Sequence, residues 1–258
     1  MCRRCPSPIR VSRRSFLAAA VLPCLPGAAD DLLEPAISLQ LPPDGPRTVA
    51  LTLDACSGAV DMRIVDALIG LSVPATIFAT GLWLRGNAVV LATIHAHPDL
   101  LTLQNHGELH LPPVLGNRRV YGLAVAGTLD AVHREVARGA DLVAEVRGER
   151  PRWYRGAAGL YSPAAFDAIQ QMGCLIAGYS LNADEGASLP AASVAHRIAA
   201  ARSGDVIVAH INQPHRASGA GVAEGIGALK QAGVVFVGLD ALPTTAPVCR
   251  PRGPAHSV

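Results

Sequence analysis

Where the apolar runs of this chain stop, polar side chains able to do chemistry begin. Asp54 ends the run from Thr48 to Leu53, and Asn105 and His106 follow Leu100 to Gln104. Arg155 closes Pro151-Arg-Trp-Tyr, Asn182 and Asp184 come just after Cys174 to Ser180, and His210 ends the run from Asp205. His110 lies four residues beyond His106, a spacing that puts two imidazoles on one face of a helical turn, where they can hold one metal ion. In a chain with nine histidines such a pair is a weak signal by itself, and both rings could instead sit exposed or cap the turn before Pro112-Pro113. Its place at a strand end, beside Asn105, strengthens the metal reading. The other histidines read as bland: His95 and His97 at the opposite strand end before Pro98, His133 and His215 on solvated stretches, and His196 on a helix that starts after the chemistry.

The elements that must position these residues alternate. Strands are expected over Thr48–Leu53, Val73–Ala79, Leu100–Gln104, Pro151–Arg155, Cys174–Ser180, Asp205–His210 and Val234–Val237. A helix is expected over Asp61–Leu71, with Met62, Val65, Leu68 and Ile69 on one face. Others are expected over about Ala88–His95, over Val125–Val146 with a break at Gly139, from a Ser162 cap to about Met172, from a Ser193 cap to Ala201, and over Val222–Ala232. About seven strands interleaved with helices argue for an α/β fold, a single distorted (β/α) barrel of parallel strands over residues 47–242. A Pro-rich lead-in (30–46) and an unstructured tail (243–258) are expected to flank it. In parallel α/β folds the C-terminal strand ends face the reaction site. Five strands thus bring reactive side chains to one end, which reads as an enzyme rather than a binding scaffold.

Composition narrows the setting. Half of the 258 residues are hydrophobic and 16% are charged, enough for a sizeable core and against disorder. Ser12-Arg13-Arg14-Ser15-Phe16-Leu17, the apolar stretch to Leu22 and Gly27-Ala28-Ala29 follow the order of a secretory signal, and the paired arginines point to the twin-arginine export machinery. Cleavage is expected after Ala29, giving a periplasmic or secreted protein. Residues 1–29 carry five basic side chains and no acidic one, so the remainder holds 17 basic against 20 acidic residues, a formal charge of −3. No basic stripe for nucleic acid is left. Runs such as Val206-Ile-Val-Ala209 are far shorter than the roughly 20 residues of a membrane span, so no transmembrane span is expected in the mature chain. Cys56, Cys174 and Cys249 remain, an odd number in an oxidising compartment.

In order, the strand-end segments read Thr52-Leu-Asp54-Ala-Cys56, His106-Gly-Glu-Leu-His110, Arg155-Gly-Ala-Ala-Gly159, Asn182-Ala-Asp184 and Ile207-Val-Ala-His210. This series resembles the five motifs of the polysaccharide deacetylase family, the NodB-like carbohydrate esterases of family four, over roughly residues 47–240. The resemblance implies a divalent metal, usually zinc, that polarises the acetyl carbonyl and acidifies a bound water. It implies Asp54 as the general base, Arg155 as the group orienting that base, His210 as the acid that protonates the leaving atom, and Asp184 as the carboxylate that biases His210. His106 and His110 fall on the metal positions, and an acetylated carbohydrate is the implied substrate.

The first motif departs from the family, where two consecutive acids serve as base and metal ligand; here the second position is Ala55. Four readings follow: two histidines with waters, Asp54 moving onto the metal, a Cys56 thiolate as ligand, or no metal and no activity. The sequence favours the first, with Asp54 near the ion and Cys56 a small packing residue. In the fourth motif Asn182, Asp184 and Glu185 compete, and Asp184 is chosen. Gly107 stands where the family usually has Ser or Thr. The leading functional reading is acetyl removal from an N- or O-acetylated polysaccharide or peptidoglycan. An amide or imide hydrolase of the same fold, and a degenerate glycan binder, are the alternatives.

Overall fold

Thr48–Ala55 (β2) is buried along its whole length, as a parallel strand covered on both faces must be. It forms the centre of a computed structural model that describes residues 32–252. Before it lies β1 (Leu32–Ala36); after it come α1 (Met62–Gly70), β3 (Ala75–Ala79), α2 (Gly81–Gly86), α3 (Ala88–Ala96) and β4 (Leu101–Asn105). A small hairpin of β5 (Arg119–Val120) and β6 (Leu123–Ala124) leads to α4 (Leu129–Arg147), β7 (Trp153–Tyr154), α5 (Pro163–Gln171), β8 (Leu175–Ile176) and β9 (Leu181–Asn182). The chain closes with α6 (Ala191–Ala199), β10 (Val206–His210), α7 (Ser218–Gln231), β11 (Val235–Val237) and β12 (Val248–Arg252).

The parallel sheet runs β8-β7-β4-β3-β2-β10-β9, and β11 also pairs with β2. One stretch of chain joins both edges: Ala177 N donates to Tyr154 O at 2.9 Å, and Ser180 N donates to Val206 O at 3.0 Å. The sheet is thereby curled into a distorted (β/α) barrel, the expected architecture. Side chains alternate across β2. Val49, Leu51, Leu53 and Ala55 join the main core with Ile64, Val65 and Leu68 of α1, while Ala50 packs inside the barrel with Phe78, Trp153 and Val206. Asp54 belongs to that inner set.

Several boundaries differ from expectation. The tail read as unstructured contains β12, antiparallel to β1, which itself begins in the Pro-rich lead-in. Pro35 and Pro251 hid this pair because proline weighs against a strand, yet the two-stranded ribbon tolerates it. Of the strand expected over Cys174–Ser180 only Leu175–Ile176 forms β8, and the chain then crosses to the other edge of the sheet, where β9 follows at Leu181–Asn182. Helix α6 starts behind Pro190 rather than at a Ser193 cap, α7 starts at Ser218, and α2 was not foreseen. The signal segment 1–29 lies outside the described residues. Among the described residues, no helix is long and apolar enough to cross a membrane.

Helix α4 runs through Gly139 without a break. A Cβ at Gly139 would meet Asn105 Oδ1 and would lie 2.6 Å from the Gly107 carbonyl carbon, so glycine lets the helix press against the loop after β4. Alanine would normally gain about 0.8–1 kcal/mol in a helix interior over glycine. Forced overpacking costs roughly 1–3 kcal/mol, and it acts here against backbone. Gly139→Ala is therefore expected to lower the urea midpoint. A variant as stable as the parent would show that the close approach is unimportant.

Candidate active site

At the top of the barrel, strand register sets the site. His210 of β10 is the direct register partner of Asp54 on β2, and the Asn105 level of β4 pairs with Tyr154, one residue before Arg155. The ends of β2, β4, β7 and β10 therefore present Asp54, His106, Arg155 and His210 around one opening, with Asp184 beyond β9.

Arg155, 1% exposed, organises the floor. Its Nη1 donates to Asp54 Oδ1 at 2.8 Å and to Thr52 Oγ1 at 2.9 Å, its Nη2 donates to Gly178 O at 3.0 Å, and its Nε donates to Ala177 O at 3.3 Å. The guanidinium also stacks 4.2 Å from the Phe78 ring centroid. Burial pushes the Asp54 carboxyl upward, but Arg155 and the neighbouring imidazoles outweigh it and hold its pKa below the ordinary value.

His210 Nδ1 lies 2.9 Å from Asp184 Oδ1, and His210 N donates to Asp184 Oδ2 at 2.7 Å. Burial lowers the His210 pKa, yet the hydrogen bond to Asp184 leads the effects that raise it well above the ordinary value. The rival side chains are occupied elsewhere. Asn182 Oδ1 accepts from Glu185 N, and Glu185 pairs with Arg197 at the surface.

His106 and His110 do come together, with ring centroids 5.0 Å apart, but not on a helical turn. Residues 106–110 form a bend in which Gly107 has φ +91° and His110 φ +62°, so the fold of the loop aims the rings. Left-handed φ at a non-glycine residue is uncommon and needs support from its surroundings. Glu135 of α4 provides it, accepting from Leu109 N at 2.9 and 3.0 Å and from Leu111 N at 3.1 Å. Burial raises the Glu135 pKa despite those donors. Sequence reasoning missed Glu135; its signal was a carboxylate on the buried stripe of α4, between Val132 and Val136. Gly107 is explained too, since a Cβ there would collide with Glu135.

Cys56 is not the packing residue expected. Its Sγ lies 3.6 Å from His106 Nε2, and one ligand atom each from Cys56, His106 and His110 all fall within 4.8 Å of one another. His106 Nδ1 is 2.7 Å from Arg155 O, a contact that assigns the proton to Nδ1 and leaves Nε2 as a lone-pair donor facing the sulfur. Two imidazoles and a thiol are a donor set suited to zinc. Burial raises the Cys56 pKa, but its contacts with the His106, His110 and His210 rings hold it well below the usual thiol range.

The family model described as polysaccharide deacetylase matches residues 42–177. The chain belongs to the polysaccharide deacetylase family. No curated protein matches it in sequence. Among solved structures, a family 4 carbohydrate esterase pseudoenzyme from Bacillus anthracis aligns with TM-score 0.62 at 16% identity, covering 77% of this chain and 66% of that one. The peptidoglycan deacetylase PdaC from Bacillus subtilis aligns with TM-score 0.61 at 20% identity, covering 78% and 91%. A family 4 carbohydrate esterase from Streptomyces lividans, in complex with acetate, aligns with TM-score 0.61 at 17% identity, covering 78% and 98%. At these identities the likeness speaks for the shared barrel alone.

Proposed function

We propose that this chain is a metal-dependent deacetylase that removes acetyl groups from an N- or O-acetylated polysaccharide or peptidoglycan outside the cytoplasm. The observation that carries the reading is the Asp54–Arg155 ion pair at 2.8 Å, set in register with His210 and beside the paired imidazoles. His106 and His110 would hold the ion, which supplies carbonyl polarisation and a more acidic water when bound. Asp54, ionised and oriented by Arg155, takes a proton from the attacking water. As the bond from the acetyl carbon to nitrogen or oxygen breaks, His210 delivers a proton to the leaving atom and acetate departs. Asp184 engages His210 at Nδ1, which turns Nε2 toward the substrate.

The decisive experiment measures bound metal in the purified protein together with acetate release from acetylated chitooligosaccharide and peptidoglycan. About one metal per chain with acetate release supports the proposal. A second reading, a glycan binder without hydrolytic activity, is favoured by Ala55 at the position where the family usually places a carboxylate. Glycan binding by a protein that stays inert after zinc, cobalt or nickel addition would select it.

Export rests on residues 12–17. Arg13-Arg14→Lys-Lys is expected to leave the precursor in the cytoplasm with its N-terminus intact, as read by fractionation and mass measurement. Unchanged export would refute the twin-arginine assignment.

A further inference from the structure

The missing carboxylate raises the question of what completes the metal site, and strand parity constrains the answer. Ala55 is fully buried in the core outside the barrel, with Leu53 and Ile64. Its backbone is still in the ladder, opposite Ala79, and its carbonyl accepts from Thr80 N at 3.2 Å. The side chain at 55 therefore faces away from the imidazoles. The next residue has the parity of Asp54, so Asp54 and Cys56 share one side of the strand end.

The Cys56 backbone is clamped from two neighbouring strand ends. Its carbonyl accepts from Thr80 Oγ1, and the following carbonyl, Ser57 O, accepts from Asn212 Nδ2 at 2.6 Å. Thr80 follows β3 and Asn212 follows β10, so the sulfur is held opposite His106 and His110 by the same strands that set the rest of the site. Among the described residues, these three supply the one cluster of at least three ligating side chains.

We infer that the Cys56 thiolate is the third protein ligand of the metal, replacing the family's carboxylate from one position further along the chain. The inference rests on the metal-dependent reading above and adds a soft sulfur donor to a site otherwise built from nitrogen and oxygen. Such a site favours zinc and cobalt over magnesium or calcium.

The test uses the full chain loaded with cobalt(II). The wild type is expected to show a thiolate-to-cobalt charge-transfer band in the near ultraviolet, and Cys56→Ala to lose it. Cys56→Ala should also weaken zinc binding by at least the roughly 10–100-fold that loss of an outer-shell partner produces. Cys56→Asp should retain zinc without the band. Ala55→Asp combined with Cys56→Ala should not recover affinity. Iodoacetamide, which forms a carbon–sulfur bond and releases iodide, should label Cys56 in the apo protein but not with zinc bound, while Cys174, the other free thiol among the described residues, reacts in both states.

Cobalt bound without the band, with Cys56→Ala binding zinc as tightly as the wild type, would overturn the inference and leave the deacetylase reading intact. Recovered affinity from Ala55→Asp would overturn the parity argument. Absence of any cobalt or zinc binding would overturn both readings. The band without acetate release would uphold the ligand assignment and defeat only the hydrolytic reading.

Discussion

Arg155→Leu is expected to destabilise the protein by about 3–5 kcal/mol, the usual effect of removing one partner from a buried ion pair. Asp54 is only 7% exposed and would lose the cation that does most to keep it ionised. Gly178 O and Ala177 O, at the segment that joins both sheet edges, would lose their donors. The check is urea unfolding of the wild type, both single variants and the pair Asp54→Asn/Arg155→Leu. The double variant is expected to be more stable than the sum of the single effects allows, since no charge is stranded in it. An unfolding free energy within about 0.5 kcal/mol of the wild type for Arg155→Leu would remove Arg155 from its structural role. The same pair gives stability an acid limb. Because the folded Asp54 pKa lies below its ordinary 3.8, the contribution is complete above pH 3.8 and fades as pH falls through the lower folded value. The double variant should lack that limb.

Asp54→Asn carries the largest expected effect on chemistry. The amide is almost the same size and still accepts from Arg155, but it cannot take a proton from water. Loss of a general base lowers rates by about 10²–10⁴-fold. Metal content should stay unchanged, because Cys56, His106 and His110 are untouched. Acetate release and metal analysis on the same preparation separate the outcomes. Loss of metal together with activity would place Asp54 on the ion, and full activity without the carboxylate would deny it the role of base.

Much of this architecture was legible because it depends on local pattern. Apolar runs of five or six residues ending in Asp54, Gln104 and His210 marked β2, β4 and β10, and a polar residue at the C-terminal end of a buried parallel strand has few bland explanations. The Asp54–Arg155 and His210–Asp184 pairings followed from motif order. The shape of the 106–110 loop was not legible. Two histidines four apart suggest a helical turn, whereas Gly107 and His110 take left-handed backbone angles held by a carboxylate from a helix some 25 residues away in the chain. Gly139 was read as a helix break because local propensity says nothing of a loop packed against it.

The sequence by itself determined the alternation of strands and helices, the family, and the set of side chains delivered to one end of the barrel, since hydrophobic period and strand termini are local properties. The tertiary structure alone decided the neighbours of the groups outside those motif pairings. It turned Ala55 into the core and Cys56 toward the imidazoles. It also recruited Glu135 to hold a strained loop. These outcomes depend on pleat parity at a strand end and on contacts between distant segments, and closure of the barrel is what creates both.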